Sequence, residues 1–169
     1  MSDTDRIEKT VVLRASRARV WRAISDAAEF GTWFGVALDG TFSEGATTRG
    51  RITTAGYEHL TMHVMVERVE PERYLAFRWH PYAVDPGVDY SAQPTTLVEF
   101  TIDDTSGSTV LTITESGFDR LPPERRDEAF RSNDGGWTIQ AGNIERHVAA
   151  SERDAGRRSA RGARVCRAR

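Results

Sequence analysis

Apolar and polar residues alternate with a period of two through the middle of this chain. Between 60 and 70, Leu60, Met62, Val64 and Val66 fall on one side and Thr61, His63, Met65 and Glu67 on the other. A strand with one buried face has this pattern. Pro71-Glu72-Arg73 reads as a turn, after which Tyr74 to His80 pairs back with Leu75, Phe77 and Trp79 on one face. A second hairpin joins Thr95–Ile102 to Val110–Ser116 and turns through Asp104 to Gly107. Val98, Phe100 and Ile102 share a face of its first arm; Leu111, Ile113 and Glu115 share a face of its second. Ile7 to Arg14 predicts a first strand, and Thr47 to Ala55 another that ends at Gly56. Gly35, Gly40 and Gly45 punctuate turns and short strands between them.

The period lengthens in two places. Ser16 is placed to cap a short helix whose apolar face is Val20, Trp21 and Ile24. Asp26 followed by Glu29 has the spacing of a capping box and opens a second short helix, Ala27 to about Trp33. From Pro122 onward, Phe130, Trp137, Ala141, Ile144 and Val148 recur at spacings of seven, four, three and four, one face of a long helix. The expected fold class is therefore α+β. A curved antiparallel sheet of about six to seven strands wraps a long C-terminal helix, with two short helices after the first strand. A space between sheet and helix is the expected site of function.

All six prolines fall at boundaries, as strand assignments require. Pro81 to Pro94 is a long connection, and Tyr82 and Tyr90 within it either close over a pocket or stand as exposed loop aromatics.

Charge divides the chain. Net charge is −2, yet residues 151–169 carry seven arginines against Glu152 and Asp154, which leaves −7 on the rest. This tail has no apolar period and is expected to be disordered, so residues 1–150 form the domain and 151–169 an Arg-rich tail. Lacking interleaved aromatics, the tail is not read as a nucleic-acid binder. Lys9 is the only lysine, which points to codon bias and not to a binding signal. The single cysteine, Cys166, and the polar residues Met1 to Arg6 fit a cytoplasmic protein. No run of apolar residues is long enough to cross a bilayer.

The candidate chemistry lies on the inward faces. Trp33, Phe34, Phe77, Trp79, Phe100, Phe118 and Trp137 are large rings that either wall a ligand cavity or simply fill the core. Gly135 and Gly136 precede Trp137 in the helix, where each glycine costs roughly 0.5–1 kcal/mol relative to alanine. That cost predicts either close approach of helix to sheet or an adjustable bend beside the pocket. Glu115 shares the parity of Leu111 and Ile113 and so points inward, where a carboxylate is expensive unless partnered. It either orients a ligand, moves a proton, or escapes to water at the cavity rim. His63, Met65, Tyr90 and Ala141 complete the expected ligand-binding set. His59 and His80 read as solvated strand ends, His147 as a residue near the last helix's C-terminus, and Arg78 as a surface residue. No His/Cys/Asp/Glu cluster has metal-ligand spacing, and there is no phosphate loop, dinucleotide fingerprint or nucleophile elbow. No metal or cofactor is expected.

Several stretches together resemble a known superfamily. They are Arg19-Val20-Trp21-Arg22-Ala23-Ile24 followed by Trp33-Phe34, the hairpin Glu70 to Trp79, the strand Thr109 to Phe118, and Gly135-Gly136-Trp137. Their order and spacing are similar to the SRPBCC (START-like, helix-grip) superfamily. The branch they most resemble is named for the C-terminal domain of the activator of heat-shock-protein-90 ATPase. The resemblance covers residue 6 to about 150 and implies a β-α-α-β-β-β-β-β-β-α domain gripping its final helix around a cavity. The tail departs from the pattern, and the separate N-terminal domain of the eukaryotic co-chaperones is not seen. Three functions follow. The first is non-catalytic binding of a small hydrophobic or aromatic ligand. The second is a polyketide cyclase- or dehydratase-like enzyme using Glu115, helped by His63 or Tyr90. The third is a chaperone-associated protein-binding module, as a monomer or a homodimer.

Overall fold

The computed structural model describes residues 5–81 and 87–165, with side chains to residue 160. Tyr82 and Cys166 lie outside the described residues. Strand β1 (Arg6–Leu13) leads into helices α1 (Arg17–Ser25) and α2 (Ala27–Phe34). Six strands follow: β2 (Val36–Leu38), β3 (Thr47–Ile52), β4 (Thr61–Glu70), β5 (Tyr74–Trp79), β6 (Thr96–Thr105) and β7 (Ser108–Ser116). A 3-10 turn, Phe118–Arg120, connects β7 to the long helix α3 (Pro123–Val165). All pairings are antiparallel, and the seven-stranded order is β1-β7-β6-β5-β4-β3-β2.

The two short helices form where the caps predict. Ser16 accepts a hydrogen bond from the Arg19 amide, and Asp26 accepts one from the Glu29 amide. Gly35 ends α2 at φ +91°, a left-handed backbone that a side chain would strain. The chain therefore turns directly into β2. The arms of the β6–β7 hairpin are longer than expected. Thr105 pairs with Ser108, so the turn tightens to Ser106-Gly107. β3 is shorter than expected, stopping at Ile52.

The inward faces meet in one core. Phe30, Phe77, Phe100 and Phe118 are its largest fully buried side chains, joined by Leu75, Ile102, Leu111 and Ile113 from the sheet and Ile144 from α3. Trp137 and Val148 continue the buried stripe of α3, as the period predicts.

Where disorder is expected after residue 150, α3 continues to Val165, and residues 152–160 are exposed. Alanine and arginine are good helix formers, the segment has no proline, and extending an existing helix needs no new nucleus. His147 is consequently well inside the helix and not near its end. Its Nε2 lies 2.9 Å from Glu29 Oε1. Of the two expectations for the glycine pair, close approach to the sheet is not met. A Cβ built at Gly135 or Gly136 meets nothing within 4 Å, so neither residue marks a close approach to the sheet.

Candidate functional site

Glu115, the second-to-last residue of β7, stands in register between Ile7 of β1 and Val98 of β6. Strand parity turns it inward, and it is 0% exposed. Four neutral side chains donate to it. Oε1 accepts from Thr96 Oγ1 at 2.6 Å, Trp79 Nε1 at 2.8 Å and Asn133 Nδ2 at 2.9 Å. Oε2 accepts from Trp137 Nε1 at 2.7 Å and Asn133 Nδ2 at 3.1 Å. Burial pushes the Glu115 carboxyl above the ordinary glutamate range, and the bonds from Thr96, Trp79, Trp137 and Asn133 oppose that push without cancelling it. The indole and amide groups can only donate in this arrangement. In this arrangement only the Thr96 hydroxyl, of the four partners, can turn to accept a hydrogen bond from a protonated Glu115.

The rings around this carboxylate are close-packed. Trp79 and Trp137 stack with centroids 5.7 Å apart. Trp137 also lies 6.0 Å from Phe100 and 6.1 Å from Phe34. At 2% exposure, Trp137 has rings where open space was expected. The open volume lies to one side. β5 ends at Trp79, and its ladder with β4 begins only at Met65↔Arg78. The first residues of β4 therefore run past the end of their neighbour. A cavity of about 580 Å³ occupies this gap, between β4, the end of β5, His80 and Pro81, and residues 88–91, with α3 contributing Asn133. Its wall is largely apolar, including Phe34, Ile52, Leu60, Met62, Trp79 and Val88, with His63, His80 and Asp89 among its polar members. The Asp89 carboxyl sits below its usual range because it accepts bonds from Ser91, with a smaller contribution from His80.

Of the expected ligand-binding residues, Phe34, His63, Met65, Trp79 and Tyr90 line this cavity. Glu115 and Trp137 are placed behind it, connected through Trp79 and Asn133. Phe77, Phe100 and Phe118 are buried in the core, and Ala141 packs half-buried against it. Trp33 donates its indole N–H to the Ala23 carbonyl at 2.8 Å and borders a separate, more open recess of about 500 Å³ with Arg146 and His147. Arg78 faces outward and pairs with Glu67 at 2.9 Å.

Asn133 and Thr96 escaped the sequence reading. Asn133 carried a usable signal. It is a weak helix former four residues before Trp137, on the same face of α3. Thr96 had none, because a threonine in a strand is ordinary.

A second buried polar group ties the helices together. Arg19, 8% exposed, reaches Glu29 at 2.9 Å and Ser151 at 2.7 Å. Glu29 also accepts from Arg22 at 2.7 Å. Burial raises the Glu29 carboxyl, but the bonds from His147 and Arg22 and the nearby guanidinium charges outweigh it and leave the group below its ordinary value.

The fold is that of the SRPBCC, or START-like, superfamily. Residues 14–149 match the family described as activator of Hsp90 ATPase homolog 1-like protein, and the chain belongs to that family. No curated protein matches the chain in sequence. Among solved structures, it is similar to DynU16, a protein of the dynemicin biosynthetic locus, at 26% identity and TM-score 0.67. That match covers 87% of this chain and 48% of DynU16, so the chain spans about half of that protein's length. A protein from Arthrobacter aurescens shares the fold at TM-score 0.70 and 15% identity, over 89% of this chain and 90% of its own. The Aha1 dimer from Colwellia psychrerythraea shares it at TM-score 0.60 and 12% identity, over 83% and 92%. No helix among the described residues is long and apolar enough to cross a membrane.

Proposed function

We propose that this domain binds a small hydrophobic or aromatic molecule, without a catalytic step, in the cavity beside β4. The observation that carries the reading is the cavity itself. About 580 Å³ falls within the range of small-molecule sites, and its wall is mostly apolar with a few polar groups. The likeness to a protein of a biosynthetic locus supports a role in handling small organic compounds.

The arrangement of Glu115 favours binding over proton transfer. Both oxygens are engaged by neighbouring side chains, and Glu115 is not part of the cavity wall. A general acid or base must reach the proton it moves. Docking to a chaperone, as the family name suggests, has less support. Of the exposed large hydrophobics Val12, Tyr57, Met65, Val88 and Ile139, Met65 and Val88 border the ligand cavity itself. Self-association draws support only from the Colwellia dimer, a likeness of fold. A cytoplasmic location belongs to the same proposal.

The test is a thermal-shift and calorimetric screen of lipids, aromatic polyketides and flavonoid-like compounds on the wild type and on Leu60→Trp, which sets an indole into the cavity wall. Binding by the wild type and loss of binding in a folded Leu60→Trp protein is the expected result. Unchanged binding in that variant, or none in the wild type, overturns the reading.

A further inference from the structure

The hydrogen bonds around Glu115 determine what the cavity offers a ligand. Trp79 and Asn133 are shared by both sites: each lines the cavity and each donates to Glu115. With its N–H committed to the carboxylate, Trp79 offers a ligand no donor. Asn133 commits its amide nitrogen to both carboxylate oxygens, at 2.9 and 3.1 Å. Turning that amide over would set its carbonyl oxygen against both carboxylate oxygens, acceptor against acceptor, so the network holds one orientation. The Oδ1 of Asn133 has no hydrogen-bond partner among the described residues. It is also not among the sealed, unpartnered polar atoms, which belong to Arg19 and Arg126.

We infer that the wall of this cavity presents a fixed hydrogen-bond acceptor, Asn133 Oδ1, and selects aromatic ligands that carry a neutral hydroxyl or N–H donor over those that carry a carboxylate or an ether. Glu115 is the positioning residue for that acceptor. It touches no ligand, and it acts by holding the amide of Asn133. An anionic ligand is disfavoured twice, because its oxygens meet a carbonyl and because Glu115 stands directly behind. The inference rests on the cavity being a ligand site, as proposed above.

Three naphthalene probes of nearly equal size separate the cases: 2-naphthol, which donates; 2-methoxynaphthalene, which only accepts; and 2-naphthoate, which is anionic. Calorimetric titration of the wild type should give 2-naphthol about three- to tenfold tighter binding than 2-methoxynaphthalene, the scale of one net hydrogen bond. 2-Naphthoate should be the weakest of the three. In Asn133→Leu, 2-naphthol and 2-methoxynaphthalene should bind within about twofold of each other, since the acceptor is gone. Glu115→Gln, if it folds, should narrow the preference too, because an amide at 115 lets Asn133 turn over. Equal binding of all three by the wild type, a preference for 2-naphthoate, or an unchanged preference in Asn133→Leu overturns the inference while leaving the cavity as a ligand site. Failure of all three probes to bind overturns the cavity reading, and this inference with it.

Discussion

The indoles of Trp79 and Trp137 lie nearly parallel, 29° apart in plane, and donate to opposite oxygens of the same carboxylate, that of Glu115. One indole comes from the sheet and the other from the long helix. The pair therefore fixes how α3 sits on the strands, and Glu115 is the polar link between the two layers. Trp137→Phe keeps most of the ring but leaves Oε2 only its bond from Asn133. Trp79→Phe leaves Oε1 with Thr96 and Asn133. Both variants should lose about 1–3 kcal/mol, the cost of an under-satisfied buried polar group, and Trp137→Phe should lose more. Urea denaturation of the two proteins compares them directly; equal stability to the wild type in both would mean that the link carries no energy.

Glu29 and Glu115 should leave opposite marks on the pH dependence of stability. Glu29 is held below its unfolded value, so its contribution is present above about pH 4.5 and is lost as pH falls through the lower, folded value. Glu115 is held above its unfolded value, so its contribution is present in acid and is lost as pH rises through the folded value. The gap in unfolding free energy between wild type and Glu29→Gln should therefore shrink on acidification. That between wild type and Glu115→Gln should widen. Denaturation curves between pH 3 and 8 measure both gaps, and gaps that move in the same direction would contradict the assignment.

The Arg19–Glu29 pair locks α1 to α2 while Arg19 reaches α3 at Ser151. Removing Glu29 with alanine leaves the buried guanidinium with its hydroxyl contact alone. Such an uncompensated charge typically costs about 3–5 kcal/mol. Arg22→Ala removes the exposed partner of the same carboxylate and should cost under about 1 kcal/mol. Thermal melts of the two variants should differ widely; similar melting points would show that the buried pair is no stronger than the surface one.

Much of this architecture was legible because it follows from periodicity. The strand alternation placed Leu75, Phe77, Val98, Phe100 and Glu115 inward, and the stripe on α3 placed Trp137, Ile144 and Val148 against them. What periodicity does not encode is the offset between neighbouring strands. β5 stops at Trp79 while β4 begins at Thr61, and the cavity lies at that mismatch, at the sheet's side. Met62 and Leu60 were readable as apolar strand residues, but their role in the wall depends on that gap. Glu115 was readable as an inward carboxylate, whereas its partners were not. Thr96 and Asn133 are brought to it by pairing of β6 with β7 and by the angle of α3, both tertiary facts.

The glycines of this chain divide by what surrounds them, and their substitutions should divide the same way. Gly31 lies on α2 with its α-carbon facing the Val36 carbonyl of β2, and a Cβ there would collide with that backbone oxygen. Backbone cannot rotate away as a side chain can. Gly31→Ala should therefore destabilise by about 1–3 kcal/mol, as overpacked sites do. Gly135 and Gly136 are in the interior of α3, where a Cβ at either meets nothing within 4 Å. Alanine there restricts the unfolded chain and favours helix, so each substitution should stabilise by roughly 0.5–1 kcal/mol. The double variant should melt several degrees above the wild type while Gly31→Ala melts below it. If the double variant instead melts lower, the glycine pair serves a bend that binding or folding requires. The cavity probes applied to that variant would then show whether ligand affinity falls with it.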